Sequence, residues 1–313
     1  MKTKIELGLL LSSLMSFAVF AEEGGTGHYL PGSIASFVDG TPTGPTFVAR
    51  FNGIYYDGSI SGPLPIAGLG PVNVDAQSYA AGLTFLWRPK FELAPGLSYA
   101  MSTTIPYVWL EVKGDVTVGP TTVRTSSSVN DLGDIVLMPV MLSYTVSRDI
   151  HLDLRGGIYA PTGDYEVGRL ANTGKNFWTF EPTFGFLYFG QQNGIEASVY
   201  AGMDFNTENN DTHYKSGDQF HVDGTLAQHF KLAGGLAGAG VSGYWYDQVT
   251  SDSGAGATFG DFEGRTTGVG PALSYVCKVG GNDLIAEVKW LHEVQTRNRL
   301  EGDYLWLKVV LKF

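Results

Sequence analysis

The residues that could do chemistry in this 313-residue chain are spread through short runs, at alternate positions, with apolar neighbours between them. Arg50, Arg88, Arg155, Tyr159, Glu181, Glu196, Tyr200, Asp223, Glu287, Lys289, Tyr304 and Trp306 all occupy such positions, as do His151, His221 and His229. Charges of mixed sign on one face can bind a ligand or select ions along a passage. They can equally pair with one another to fill a narrow interior. Tyr159, Tyr200, Tyr304 and Trp306 would suit an apolar or aromatic solute, and would also pack well. Catalysis needs more than this pattern. The three histidines lie in separate runs without the His-Glu-x-x-His spacing of a metal site, and Gly-x-Ser-x-Gly is absent. His292 falls on the apolar side of its run, where a lipid-cleaving triad would sit, but no serine with a suitable motif accompanies it. One cysteine excludes an intramolecular disulfide framework and a zinc site of several thiolates. A net charge of −11 argues against general nucleic-acid binding. No catalytic residue, metal or cofactor is expected.

The elements that must carry these residues have period two. In the run 304–313, Leu305, Leu307, Val309, Leu311 and Phe313 share one face, while Tyr304, Trp306, Lys308, Val310 and Lys312 share the other. Successive strand side chains point to opposite faces, so this is a strand with one apolar and one mixed face. The same reading gives about twelve strands, near 45–57, 74–88, 96–112, 130–147, 149–162, 176–189, 193–206, 215–230, 233–249, 264–279, 282–296 and 301–313. Facing stays open at 96–112, 130–147 and 233–249. The gaps alternate between long (58–73, 113–129, 163–175, 207–214, 250–263) and short, except for a short one at 297–300. The expected fold is all-β: a closed antiparallel transmembrane β-barrel of about twelve strands, with short periplasmic turns and long extracellular loops. Many runs reach the ten or so residues that cross a bilayer at a tilt, which speaks against a soluble sandwich. Trp87, Trp109, Trp178, Trp245 and Trp290 read as membrane-interface residues.

Residues 1–21 have two lysines, an apolar stretch and small residues at a cleavage position, the build of a secretory signal peptide. Residues 22–44 form a Gly-, Pro- and Ser-containing segment with sparse apolar residues, Tyr29, Leu30, Ile34 and Phe37. That composition fits an element that enters the barrel and plugs it, or a loose periplasmic tail. Residues 45–313 are the barrel. The place is the outer membrane of a Gram-negative bacterium, with outer-membrane lipid as one partner. Phe313, a terminal aromatic on the best alternating strand, resembles the signal read by the barrel-assembly machinery.

Four stretches resemble one known family. They are Tyr29-Leu30-Pro31-Gly32-Ser33 with Phe37 and Thr41-Pro42-Thr43-Gly44; Gly133-Asp134 opening a strand that contains Pro139; Ala160-Pro161-Thr162-Gly163-Asp164-Tyr165 followed by Asn176-Phe177-Trp178; and the closing hairpin ending in Phe313. In order and spacing they resemble the outer-membrane proteins named for the meta-pathway of phenol degradation. The resemblance implies a β-barrel channel or transporter for uptake of small, hydrophobic or aromatic compounds, and supplies no catalytic residues. Two alternatives stand beside it: a structural or adhesion barrel without transport, and an outer-membrane lipid-modifying enzyme. Oligomeric state is left open.

Overall fold

Alternating runs become strands because one face meets lipid and the other a filled interior. The computed structural model of the protein describes residues 25–63, 71–118, 121–257 and 263–313. The signal peptide expected over 1–21, and the first three residues of the segment after it, lie outside the described residues. The strands are β1 (Thr46–Pro63), β2 (Pro71–Arg88), β3 (Glu92–Ala94), β4 (Leu97–Val118), β5 (Thr121–Leu132), β6 (Ile135–Thr145), β7 (Ile150–Ala160), β8 (Thr179–Phe189), β9 (Ile195–Asn206), β10 (Gln219–Leu232), β11 (Gly235–Gln248), β12 (Arg265–Val279), β13 (Asn282–Arg297) and β14 (Glu301–Lys312). All pairings are antiparallel. β1 pairs with both β2 and β14, and β2 pairs with β4, which closes a ring of twelve strands once β3 and β5 are set aside. Closure leaves no open edge around the ring, the condition for a sheet in lipid.

Three expected boundaries change. The stretch 113–129, read as a loop, is the upper part of β4 and most of β5, a hairpin paired from Tyr107↔Leu132 to Val118↔Thr121. The stretch 130–147, read as one strand, breaks at Gly133-Asp134 between β5 and β6. The gap 58–73 is mostly strand, since β1 runs to Pro63 and β2 starts at Pro71. The hairpin runs Thr121-Thr-Val-Arg-Thr-Ser-Ser-Ser-Val-Asn-Asp-Leu132, polar on both faces. A strand with no apolar face shows no alternation, so the period gives no warning of it.

The facing of the other strands follows the alternation. Val199 and Leu307 are exposed on the outer face, as are Trp87, Trp109, Trp178, Trp245 and Trp290. Glu181, Glu196, Lys289 and Lys308 are fully buried inside. The core of this protein is therefore the lumen. An arginine at Val199 or Leu307 is expected to cost about 2–4 kcal/mol near the bilayer midplane. An arginine at Gln191, in the exposed turn between β8 and β9, should stay within about 0.5 kcal/mol of wild type. Urea unfolding in lipid vesicles reads the difference, and equal costs at the two kinds of site would contradict the outward assignment.

Candidate functional site

Residues 25–45 run through the lumen from one rim to the other. Pro31, Pro42 and Pro45 cannot donate to a ladder, so the segment pairs with side chains of the wall rather than joining the sheet. It enters at the rim of short turns, beside the start of β1. There the Thr41 hydroxyl donates to Asp153 at 3.2 Å. Asp39, in a single turn of 3-10 helix at Phe37–Asp39, accepts from Lys308 Nζ at 2.6 and 2.8 Å and from Arg50 Nη1 at 3.0 Å. The same carboxylate takes the backbone N–H of Ala35 at 2.9 Å and of Ser36 at 3.2 Å. Burial alone would raise its pKa, but Lys308, Lys289 and Arg50 together hold it well below the usual carboxylate range.

Higher in the lumen, wall side chains take the segment's carbonyls. Lys308 Nζ donates to Ser33 O at 2.7 Å, Lys289 Nζ to Gly32 O at 2.7 Å, and Trp306 Nε1 to Pro31 O at 2.9 Å. Asp223 accepts the Gly32 N–H at 2.7 Å and the Tyr29 hydroxyl at 2.8 Å. At the long-loop rim His28 sits 2.8 Å from Asp134 and 2.7 Å from the Thr179 hydroxyl, and Lys175 Nζ donates to Thr26 Oγ1 at 2.7 Å. Burial raises the Asp134 pKa, but His28 and the N–H groups of Gly163 and Lys175 outweigh it and hold the carboxyl below its ordinary value.

The other residues singled out from sequence fall into the same lumen. Arg155 pairs with Asp153, donates to Asp39 O at 2.7 Å and lies 5.0 Å from the centre of the Tyr200 ring. Glu196 accepts the Phe37 N–H at 2.8 Å and lies 2.8 Å from His229 Nε2. Tyr159 donates to Glu181 at 2.5 Å. Glu287 lies 3.3 Å from Lys289 and 3.7 Å from Lys308. Arg88 is buried near the turn rim, across from Thr46, and donates to Ser98 at 2.8 Å. Within the segment, Tyr29 is buried and stacks on His221 with centroids 4.0 Å apart, Leu30 is exposed, and Phe37 packs between Phe189 and His229. His28 stacks on Tyr159 at 5.0 Å, and Trp306 is met by Pro31 and Gly32.

Sequence reasoning missed Asp39, His28 and the pair Tyr56 and Tyr244. Ser36-x-x-Asp39 is the Ser-x-x-acid pattern that opens helical turns, and this was the available signal for Asp39.

The anchors named above lie on β1, β7–β10, β13, β14 and the rims. Toward β2, β4 and β6 the segment leaves a cavity of about 40 Å³, whose lining includes Ile34, Val38, Leu86, Met138 and Met141 together with Arg50. Above it is an inward aromatic and apolar cluster of Tyr56, Tyr244, Tyr304, Trp306, Leu291 and Leu300. The Tyr56 and Tyr304 rings are 4.4 Å apart. Glu293 keeps the hydroxyl ends of the cluster bonded, accepting from Tyr244 at 2.7 Å and Tyr56 at 3.3 Å.

Gly32 is the tight point of the segment. Its φ is +78°, and an added Cβ would lie 2.5 Å from Leu291 Cδ1 and 3.3 Å from Trp306 Nε1. Gly32→Ala is expected to loosen the segment by about 1–3 kcal/mol, from left-handed backbone cost plus overlap. In a Cys277→Ser background, Ser33→Cys should then label at least fivefold faster, and an unchanged rate would show that the contact does not hold the segment.

His292 lies on the outer face beside Asp303 at 3.0 Å, and its cross-strand partners are Val269 and Asp303, neither a serine.

Comparison with known proteins gives a family. Residues 56–309 match the family described as "Putative MetA-pathway of phenol degradation". No curated protein matches the chain. An outer membrane channel from Pseudomonas putida F1 superposes with a TM-score of 0.66 at 14% identity, covering 91% of this chain and 100% of that one. The β domain of the Bordetella autotransporter BrkA gives 0.42 at 11% identity, covering 85% and 99%. OccK7 of Pseudomonas aeruginosa gives 0.27 at 10% identity, covering 86% and 99%.

Proposed function

This chain belongs to that phenol-degradation family, and from this premise we propose that it is an outer-membrane channel for uptake of small hydrophobic or aromatic compounds, restricted by its own N-terminal segment. The closed barrel with an apolar outer face belongs in an outer membrane. The Pseudomonas putida protein with the same barrel is described as an outer membrane channel. The observation that carries the solute class is the inner cluster Tyr56, Tyr244, Tyr304, Trp306, Leu291 and Leu300. Interiors of such barrels are usually polar. An aromatic and aliphatic patch on the inner wall, beside a segment that leaves a cavity on the same side, offers a flat apolar solute contacts that water does not compete for.

In this reading residues 25–45 act as a plug. Arg50, Arg155, Glu196, Asp223 and Lys289 hold it, and Tyr29, Ile34 and Phe37 fill space around it. Arg88, Tyr159, Glu181, Tyr200 and Glu287 act mainly by keeping the wall's charges paired. The test is swelling of liposomes that carry the protein. Phenol- and benzoate-sized aromatic solutes should enter faster than sugars of equal mass, and Tyr304→Ala with Tyr56→Ala should remove the preference. Equal rates for both solute classes in the unaltered protein would leave a structural barrel as the better reading.

A further inference from the structure

We propose that Glu181, Asp204 and His221 bind one divalent transition-metal cation, of the zinc or manganese kind, at the lumen wall. The three residues project inward from neighbouring strands β8, β9 and β10. Their potential ligand atoms lie within 4.8 Å of one another, and all three side chains are buried. His221 Nε2 is 3.6 Å from Glu181 Oε1 and 3.9 Å from Asp204 Oδ1. It is buried and makes no hydrogen bond. These separations exceed the roughly 3.2 Å limit of a good N–H···O bond. A proton on Nε2 would therefore serve neither carboxylate well. An ion with bonds of about 2.0–2.2 Å to nitrogen and oxygen would draw all three donors closer to one another.

The surroundings prepare Nε2 as a ligand. His221 Nδ1 faces Asp223 Oδ2 at 3.4 Å, and Asp223 is itself fixed by Tyr29 and Gly32 of the inner segment. A carboxylate beside one imidazole nitrogen favours the tautomer that leaves a lone pair on the other, the usual support of a metal-binding histidine, and Asp223 is the nearest of the three acids to His221. Here that lone pair points at two carboxylates, an arrangement that a positive charge between them makes favourable, whether a metal ion or the imidazole's own second proton. With Asp223 included, three carboxylates converge on one imidazole. A divalent cation offsets more of that charge than a single proton does. An imidazole and two carboxylates suit zinc or manganese.

The space is made by one residue. Gly202 lies directly across from His221 on β9 and from Thr183 on β8. A Cβ there would overlap His221 Nε2 and Cε1. Glycine at this position lets the imidazole lie flat against the wall between the two acids.

The test uses the full-length mature protein without a histidine tag, in detergent, freed of metal and dialysed against micromolar Zn²⁺ or Mn²⁺. One ion per chain is expected, and Mn²⁺ should show electron-spin coupling to a single nitrogen. His221→Gln and Asp204→Asn should weaken binding at least tenfold, and Asp223→Asn by about 10–100-fold through His221 alone. Gly202→Ala, which keeps every ligand, should also lose the ion. His213→Ala removes an exposed histidine beside Glu208 and should keep it. Folding of each variant is checked by heat-shifted migration on gels. No bound ion in the unaltered protein, no nitrogen coupling, or a full ion in both His221→Gln and Gly202→Ala would overturn the proposal. Metal content is read without conductance, so this site stands or falls separately from the channel reading.

Discussion

Deletion of residues 25–44 is expected to raise single-channel conductance severalfold while leaving the strand content unchanged. The segment lies across the lumen from Thr41 beside Asp153 to Thr26 beside Lys175. A twelve-strand ring is only moderately wider than an eight-strand barrel that side chains fill alone, so what the segment vacates becomes most of the water path. The deletion also removes Asp39 and leaves Arg50, Lys289 and Lys308 facing water. Ion selectivity should therefore shift toward anions, seen as a displaced reversal potential under a salt gradient. Each strand of the ring keeps both of its neighbours, so circular dichroism should not change. Unaltered conductance and selectivity in the truncated protein would show that the restriction lies in the wall or the long loops.

Asp39→Asn is expected to destabilise the folded protein by about 3–5 kcal/mol, the usual result of removing one partner from a buried ion pair. Neither the Asp39 nor the Lys308 side chain is exposed to solvent, so solvent screening does not reduce this figure. The loss has two parts. Lys308 would be left buried beside Arg50 and Lys289 without its acid, and the N–H groups of Ala35 and Ser36 would lose a charged acceptor. Exchanging Lys308 for Met in the same chain should recover much of the loss, because the orphaned charge goes too. The pH dependence has a definite sign. The folded pKa of Asp39 is depressed, so its contribution is complete above the ordinary carboxylate pKa near 4. It is lost only as pH falls toward the lower folded value. Unfolding midpoints between pH 7 and pH 3 should therefore fall less for Asp39→Asn than for the unaltered protein. A loss under about 1 kcal/mol at pH 7 would mean that the pair does not hold the segment.

Most of the barrel was legible because lipid and a charged lumen impose opposite demands on alternate residues. β14, β13, β9 and β8 each separate cleanly, and the residues chosen as inward from them, such as Glu181, Glu196, Lys289 and Trp306, are buried. The open stretches have a local cause. β4 pairs with β6 through a bulge between Ala100 and Ser102, and β6 pairs with β7 through one between Leu137 and Val140. A bulge shifts the alternation by one residue, so no single phase fits the strand. β11 is rich in glycine and alanine, which mark neither face, until Tyr244 and Tyr246. Asp39 was hidden for another reason. It lies outside any periodic element, and Lys308 is 269 residues away along the chain. His221 was visible as an inward histidine, but its relation to Glu181 and Asp204 depends on how β8, β9 and β10 are staggered, which one strand's period does not encode.

The seam between β1 and β14 bears on how the molecule comes together. It is zipped from Val48↔Lys312 to Ser59↔Glu301, and Asp39 reaches across it to Arg50 on one side and Lys308 on the other. The inner segment is synthesised before β1, so it is present while β14 is still to be made. A ring that sealed first would enclose Lys308 and Arg50 without Asp39 and would then have to admit a chain along a crowded axis. Wrapping the final hairpin around the segment avoids both costs. The entropy of bringing residues nearly 270 positions apart together is then lost once, for the seam and the segment jointly. On this route the N-terminal stretch serves as a mandrel for its own barrel, and ring closure and lumen filling are one kinetic event.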